Sequence, residues 1–159
     1  ADKDLAQLIE PGVSQLLPPP TANPRLGWRM LDDQGVTEKF GVKPNQILDY
    51  LSIIGDQADN IPGLTGVGPK TAVKWLQAWG NLEELIANAG RVTPKRFCSM
   101  IYEKRDLLLR NREIIKLDSE KNEGDQGPAA PDIEKICEIL EIMEMKKSID
   151  EAKLRYSPN

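Results

Sequence analysis

Apolar residues recur along most of the chain at the three- and four-residue spacing of a helix face. This spacing predicts helices over residues 33–40, 44–54, 69–79, 82–88 and 93–111, and a last helix that begins after Asp132. The stripes of the second and third helices are Ile47, Leu48, Leu51 and Ile54, and Ala72, Trp75, Leu76 and Trp79. We interpret the two tryptophans as core residues, with stacking on nucleic-acid bases as the alternative.

Residues that begin and end helices support these boundaries. Pro44 suits a first helical turn, while Gly55 and Gly80 suit helix ends. Asn81 is a typical N-cap residue, and Thr93 before Pro94 predicts an N-cap followed by the first helical position. Residues 119–131 are polar and rich in Gly and Pro, which predicts a linker before the last helix.

Two segments near the N-terminus have the character of strands. Residues 13–17 lie between Pro11-Gly12 and a run of three prolines, and residues 28–31 follow a loop rich in turn-forming residues. No other strand is predicted. We therefore predict a mainly α-helical fold with a few short N-terminal strands.

The composition restricts the chemistry. The 159-residue chain has no histidine, which excludes histidine-ligated zinc sites, Ser-His triads and Cys-His dyads. Cys98 and Cys137 are too few for a disulfide framework and are predicted to be reduced thiols. No apolar run reaches the roughly 18 residues of a membrane span, so we predict no membrane partner. Acid, base and metal chemistry must depend on Asp, Glu, Lys or Tyr.

The net charge of −4 conceals a basic stretch. Residues 91–116 contain eight basic and three acidic residues. The basic ones are Arg91, Lys95, Arg96, Lys104, Arg105, Arg110, Arg112 and Lys116. Two interpretations remain open: a solvated helix face, or electrostatic tracking of duplex phosphates, which would make binding strongly salt-dependent.

A glycine-rich turn precedes the predicted third helix. Gly66 and Gly68 allow a sharp turn and let another chain approach the backbone closely. The amides from Gly68 to Thr71 would be the unpaired donors of a new helix, and Lys70 and Lys74 share one helix face. These groups can hold a phosphodiester strand without reading bases. A packed corner that merely needs glycines is the structural alternative.

Two pairs of aspartates are candidates for metal binding. Asp56 and Asp59 directly precede the glycine-rich turn, and Asp2 and Asp4 flank Lys3 at the N-terminus. Solvated turns and caps are the ordinary role of such acids. If the fold brings both pairs together, however, four carboxylates would repel one another strongly without a bound cation. Oxygen-only ligation favours Mg²⁺ or Mn²⁺ over zinc.

Three stretches together carry a specific resemblance. They are Asp2 through Leu8, Phe40 through Tyr50, and Gly55 through Ala72, whose end, Pro62 through Ala72, resembles the helix-hairpin-helix DNA-binding motif. In this order they resemble the 5′-3′ exonuclease family, which includes flap endonucleases and the 5′-nuclease domain of bacterial DNA polymerase I. Residues 111–118 also look like the family's terminal stretch. The resemblance covers about residues 1–118.

The resemblance implies a site, a partner and a domain organisation. It assigns Asp2, Asp4, Asp56 and Asp59 to a divalent-metal site, and Gly66, Gly68, Lys70, Thr71 and Lys74 to duplex DNA with a 5′ end or flap. It also places a K⁺ ion on the backbone carbonyls of Pro62, Leu64 and Val67. Residues 1–42 would be a remnant of the α/β catalytic domain, 43–118 the helix-hairpin-helix domain, 119–131 a linker and 132–159 a helical segment.

Three hypotheses about function follow. The first is structure-specific, metal-dependent hydrolysis of DNA phosphodiester bonds, the chain supplying the second metal site and the duplex grip. We expect the chain to begin inside the family's catalytic domain, so a missing N-terminal nuclease half or a DNA polymerase would be a partner. The alternatives are a non-catalytic duplex-binding module and a generic helical interaction domain. The resemblance implies an intracellular location at DNA replication or repair: cytoplasm, nucleoid or an organelle.

Overall fold

A computed structural model of the protein describes residues 2–118 and 131–156. The described residues are mostly helical, with two small two-stranded sheets, which confirms the predicted mainly α-helical class. The chain divides into two compact units, Ala1–Ser119 and Glu120–Asn159. Among the described residues, no helix has both the length and the apolar character needed to cross a bilayer.

The described residues of the first unit form six α-helices and four strands. The helices are α1 (Asp33–Phe40), α2 (Ile47–Ile54), α3 (Pro69–Trp79), α4 (Leu82–Ala87), α5 (Cys98–Glu103) and α6 (Arg105–Ile115). The strands are β1 (Gln15–Leu17), β2 (Arg29–Leu31), β3 (Gly55–Asp56) and β4 (Ile61–Pro62). Single turns of 3-10 helix lie at Asp4–Leu8, Pro24–Leu26, Pro44–Gln46, Ala89–Arg91 and Lys95–Phe97.

Helix α2 lies at the centre of the first unit. It packs against both α3 and α6, and six of its eight residues are buried. A helix that is buried nearly all round belongs to the interior rather than to an amphipathic surface. Ile47 and Leu51 of the predicted apolar stripe are buried, as expected. Tyr50 and Ile53, which lie outside that stripe, are buried as well. The surrounding core includes Trp75, Leu76, Leu85, Ile101 and Leu108.

The predicted helix boundaries agree closely with the structure where a cap defines them. Gly55 and Gly80 end α2 and α3 with φ values of 74° and 86°, which favour glycine. The Asn81 side chain accepts a hydrogen bond from the amide of Glu84 at 2.8 Å and so begins α4. Local chemistry alone determines these ends, which is why the sequence reveals them.

The predicted single helix over residues 93–111 is wrong. Pro94 has an extended backbone, with ψ of 146°, and therefore cannot be the first helical residue. A 3-10 turn follows, then α5 and α6, which are separated at Lys104. The separation allows α5 to pack on the Ala89–Arg91 turn while α6 packs on α2. Tertiary packing, rather than a helix-breaking residue, produces this break.

The two antiparallel sheets differ in how well they were predicted. β1 and β2 form the expected N-terminal pair, with Leu16 opposite Met30 on the exposed face and Leu17 and Leu31 buried on the other. The expectation that strands occur only near the N-terminus is wrong. β3 pairs with β4 directly after α2, in a hairpin of two residues a side.

The second unit contains two described helices, α7 (Ile133–Ile142) and α8 (Lys146–Tyr156), where a single last helix was predicted. The Asp132 side chain caps α7 by accepting from the amide of Lys135 at 3.0 Å. The chain turns between the helices at Glu144, which has a φ of 58°. The proposed linker lies almost entirely outside the described residues, and the domain boundaries at 42, 118 and 131 stay predictions.

Candidate metal centre and phosphate-binding hairpin

Three carboxylates meet at one place on the first unit. One oxygen each from Asp4, Asp56 and Asp59 lies within 4.8 Å of the other two. Asp56 is buried, Asp4 is half-buried and Asp59 is exposed. The centre therefore opens to solvent on one side and has a buried carboxylate on the other, as a cation site that receives an external ligand requires.

The N-terminal segment reaches this centre because it is packed onto the helical core. The 3-10 turn Asp4–Leu8 contacts α2 and the Pro44–Gln46 turn, and its Ala6 is fully buried. The side-chain amide of Gln7 donates to the carbonyl of Ile115 at the end of α6, at 3.1 Å. These contacts place Asp4 beside residues more than fifty positions away in sequence.

The β3–β4 hairpin carries the other two acids. Asp56 ends β3, and Asp59 lies in the turn over residues 57–60. Asn60 has a φ of 56° in this turn, a left-handed conformation that asparagine tolerates better than most residues. At the base of the hairpin, Gly55 and Gly63 cross so closely that a Cβ on either would lie under 3 Å from backbone atoms of the other strand.

Asp2, the fourth predicted ligand, is outside this group of three. It is exposed, and its Oδ1 accepts a hydrogen bond from the amide of Asp4 at 3.0 Å. Burial and the nearby Asp2 carboxylate raise the pKa of Asp4, and Asp56 and Asp59 add to this effect. Asp2 thus adds to the negative potential of the centre without sharing the common point.

Lys3 is a member of the centre that sequence reasoning missed. Its Nζ lies 2.6 Å from Oδ2 of Asp56. This hydrogen bond lowers the pKa of Asp56 against the opposing effect of burial. Burial raises the pKa of the nearby Tyr50, and the positive charge of Lys3 partly offsets this rise. The alternation Asp-Lys-Asp was the available signal, and it was interpreted only through its acids.

The donor set fits a hard divalent cation. All three groups are carboxylates, and a positive ion would relieve their mutual repulsion, which adds to burial in raising the pKa of Asp4. Carboxylate oxygens are the ligands that Mg²⁺ and Mn²⁺ prefer, and the sequence has no histidine to favour zinc. The residues present therefore fit the predicted metal.

The predicted phosphate-binding hairpin lies between β4 and α3. Leu64 and Val67 are buried in the core, whereas Gly66 and Gly68 are exposed. Gly68 is the N-cap of α3 and, because it lacks a side chain, leaves the first amides of the helix without a side-chain acceptor. The amides of Thr71 and Ala72 donate to the carbonyl of Gly68, whereas the amides of Gly68 and Lys70 have no hydrogen-bond acceptor among the described residues. The glycine-rich turn thus leaves two backbone donors free at exposed residues.

The side chains around the hairpin agree with an anion-facing surface. Lys70 and Lys74 are exposed on α3, and Thr71 is partly exposed. The positive end of the α3 dipole lies at the same place. All five residues predicted to bind DNA thus lie within one turn and the first two turns of one helix. Their role in binding stays a prediction.

Asn111 joins the β3–β4 hairpin to helix α2, a role that the sequence did not reveal. Its side chain is 1% exposed and donates to the carbonyls of Ser52 at 3.1 Å and Pro62 at 2.7 Å. Pro62 was one of the carbonyls proposed for K⁺. The carbonyl of Leu64, another, accepts from the amide of Val67 at 3.0 Å. Since a carbonyl oxygen has two lone pairs, these bonds leave the K⁺ prediction open.

Arg112 does not belong to a phosphate-tracking surface. Its Nε lies 2.9 Å from Oδ1 of buried Asp49, and its guanidinium also bonds Glu83. The Nε–Oδ1 contact is an ion pair without an aligned hydrogen bond. Burial raises the pKa of Asp49, although the amide of Leu82 and the charge of Arg112 both oppose the rise. The interaction joins α2, α4 and α6.

The other basic residues are spread over several short elements rather than one helix face. Arg91 lies over the ring of Trp79, and Lys95 donates to the carbonyl of Gly90. Arg96 lies over Phe97, whose ring approaches Gly66 of the hairpin. Trp75 is buried and donates to the carbonyl of Thr93 at 2.8 Å, as expected of a core residue.

Comparison with known proteins identifies the family. Residues 42–125 match the family described as "5'-3' exonuclease, C-terminal SAM fold". The chain is 35% identical over 157 residues to a 5'-3' exonuclease of Aquifex aeolicus, covering 94% of this chain and 50% of the relative. It is 33% identical over 164 residues to the thermostable DNA polymerase I of Thermus thermophilus, covering 99% of this chain and 18% of the polymerase.

The chain thus spans about half of the exonuclease and less than a fifth of the polymerase. The matched region contains α2, the β3–β4 hairpin, the glycine-rich turn and α3, the elements that carry most of the candidate site. The matched region also accounts for more than half of the residues of the chain. The chain therefore belongs to the 5′-3′ exonuclease family, of which it carries the C-terminal SAM-fold domain.

Proposed function

We propose that this chain is the C-terminal part of a divalent-metal-dependent nuclease that hydrolyses DNA phosphodiester bonds at 5′ ends or flaps. The convergence of Asp4, Asp56 and Asp59 within 4.8 Å is the observation that carries the proposal. Membership of the family supports the reaction class. The substrate would be duplex DNA, and the work would take place where DNA is replicated or repaired inside the cell.

In this proposal the carboxylates hold Mg²⁺ or Mn²⁺, and Asp2 strengthens the negative potential around them. A bound ion would lower the pKa of a coordinated water and stabilise the leaving oxygen. The open side at Asp59 admits the phosphate, while buried Asp56 remains fixed by the amide of Ala58 at 3.0 Å. A further part of the nuclease would complete the active site, and a DNA polymerase would be the alternative partner.

The hairpin supplies the grip on the duplex. The amides of exposed Gly68 and Lys70, the α3 dipole and the ammonium groups of Lys70 and Lys74 all favour a phosphate. None of these groups reads a base edge, so the grip would be independent of sequence. A K⁺ ion held by the carbonyls of Pro62, Leu64 and Val67 would add a further contact to the same strand.

A non-catalytic duplex-binding module is the second candidate. The observation that favours it is the Lys3 ammonium on Asp56, which already supplies a positive charge to the acidic centre. Such a module would bind duplex DNA through the hairpin and show no divalent-ion binding. Titration with Mn²⁺ distinguishes the two candidates.

We expect Asp56→Asn combined with Asp59→Asn to weaken Mn²⁺ binding by at least about tenfold, because the variant removes two of three charged ligands. Isothermal titration calorimetry of the metal-free chain measures the change. The control, Glu103→Gln with Asp106→Asn, removes the same charge from exposed positions on α5 and α6. Equal affinity in all three proteins, or no binding by the unaltered chain, would refute the metal centre.

The same variants provide the activity test. In a protein that contains the whole nuclease, the aspartate variant should lose Mg²⁺-dependent cleavage of a 5′-flap duplex, and the control should retain it. Cleavage at equal rates by both would mean that the activity lies elsewhere.

For the DNA grip, we expect Lys70→Ala and Lys74→Ala each to weaken duplex binding equally for different sequences. Each should reduce the slope of log K against log salt by about one phosphate contact. Fluorescence anisotropy at several salt concentrations measures both effects. Lys147→Ala, at an exposed position on α8 of the second unit and outside the basic stretch, is the control. A change in base preference would contradict a grip on the backbone alone.

A further inference from the structure

Lys3 places its ammonium on the buried carboxylate of the acidic centre. Its side chain is 37% exposed, while that of Asp56 is only 5% exposed. The ammonium therefore reaches inward from the surface to a buried carboxylate. This arrangement differs from an exposed ion pair, which contributes little, because the buried carboxylate has little water to compensate for a lost partner.

Both oxygens of Asp56 already have partners. Oδ1 accepts from the amide of Ala58 at 3.0 Å, and Oδ2 accepts from Lys3 at 2.6 Å. The Asp4 and Asp59 oxygens lie within 4.8 Å of Asp56, so an ion bound by all three would stand beside the ammonium. A divalent cation and an ammonium at the same carboxylate repel each other, since they lie within a few ångströms of each other.

We propose that Lys3 is an internal counter-cation of the acidic centre, which holds Asp56 in the metal-free protein and leaves Oδ2 when a divalent cation binds. The proposal rests on the metal centre of the proposed function and adds a competitor to it. Metal binding and the position of the N-terminal segment are then coupled, because Lys3 immediately precedes the packed turn Asp4–Leu8.

The chain allows the exchange without unfolding. The packed part of the N-terminal segment begins at Asp4, and its anchors are buried Ala6 and the bond from Gln7 to Ile115. The Lys3 side chain can therefore rotate into solvent while Asp4 stays in place. Methionine has similar length and no charge, so it is a suitable replacement.

The first experiment compares Mn²⁺ affinities of the metal-free chain by calorimetry. We expect Lys3→Met to bind Mn²⁺ about tenfold more tightly than the unaltered chain, because a charge-assisted hydrogen bond no longer competes. Lys104→Met removes an equal charge from the surface and should change the affinity less than about twofold. Equal or weaker binding by Lys3→Met, or the same gain in Lys104→Met, would overturn the exchange.

The second experiment needs no metal. A double-mutant cycle of Lys3→Met and Asp56→Asn, followed by urea denaturation in EDTA, isolates their interaction. Lys3→Met should lower the equilibrium constant for folding about tenfold when Asp56 is present. In the Asp56→Asn background it should lower this constant less than about twofold. Additive effects would overturn the counter-cation role.

The two arms separate the proposals. Mn²⁺ binding by the unaltered chain together with an unchanged affinity of Lys3→Met refutes the exchange and leaves the metal centre intact. Absence of Mn²⁺ binding in both proteins refutes the metal centre, and with it the exchange. Tighter binding by Lys3→Met together with coupling in the cycle supports the proposal.

Discussion

Gly63→Ala is expected to destabilise the first unit by about 3 kcal/mol or more. A Cβ at this position would lie 2.1 Å from the carbonyl oxygen of Ile54 and 2.7 Å from the amide nitrogen of Gly55. Both are backbone atoms at the end of α2, so neither can move aside as a flexible side chain would. Urea denaturation followed by circular dichroism measures the loss.

The same substitution should also impair the candidate site. Gly63 lies at the base of the hairpin that carries Asp56 and Asp59, so forcing the strands apart displaces both carboxylates from Asp4. Gly90→Ala is the matched control, because no described atom lies within 4 Å of its added Cβ, and we expect a change within about 0.5 kcal/mol. A Gly63→Ala protein as stable as this control would show that the backbones do not cross here.

Arg112→Met should cost about 3 kcal/mol at neutral pH. The substitution leaves the carboxylate of Asp49, which is 3% exposed, without a counter-charge in the interior. Breaking a buried ion pair by removing one partner is costly because the remaining charge is neither paired nor hydrated. Arg110→Met, at an exposed position of the same helix, should change stability by less than about 0.5 kcal/mol. Urea denaturation measures both.

The dependence of this loss on pH identifies its origin. Burial raises the pKa of Asp49 in the native protein above its ordinary value of 3.8, and removal of Arg112 would raise it further. When the native pKa of a carboxyl is raised, the protein loses stability as the pH rises from the ordinary pKa of 3.8 to the native pKa. In the variant this interval extends to higher pH, so the difference between the two proteins widens as the pH rises and closes in acid.

A second substitution tests the same interpretation at constant pH. Asp49→Asn in the Arg112→Met background removes the uncompensated charge and keeps an oxygen that can accept from the amide of Leu82. We expect it to recover part of the lost stability. A loss that is independent of pH, and that Asp49→Asn does not reduce, would mean that Arg112 acts through packing alone.

The sequence predicted those parts of the fold that local chemistry determines. The bounds of α1 and α3 were correct because caps and glycines mark their ends, and the glycine-rich turn was placed correctly before α3. The strand pairing of β3 with β4 was missed because four residues in strands carry almost no periodic signal. The break at Lys104 was missed because the partners of α5 and α6, rather than their own residues, produce it.

The candidate site shows the same limit. The acids were identified from spacing and from the family resemblance, yet Lys3 and Asn111 were not, since their roles depend on partners distant in sequence. Asn111 lies 59 positions from Ser52 and 49 from Pro62. Arg112 was grouped with exposed basic residues because a sequence of charges does not show which of them finds a buried partner. Long-range contacts, rather than residue type, determine these assignments.

The closeness of the two parts of the site along the chain has a mechanical consequence. Asp59 and Gly66 are seven positions apart, and the segment between them is anchored at Pro62 by Asn111 and at Gly63 by the glycine crossing. Under the proposed function, the length of this short span would set how many nucleotides separate the anchored phosphate from the scissile bond. An inserted or deleted residue in the span, rather than a changed side chain, would then shift the position of the cut.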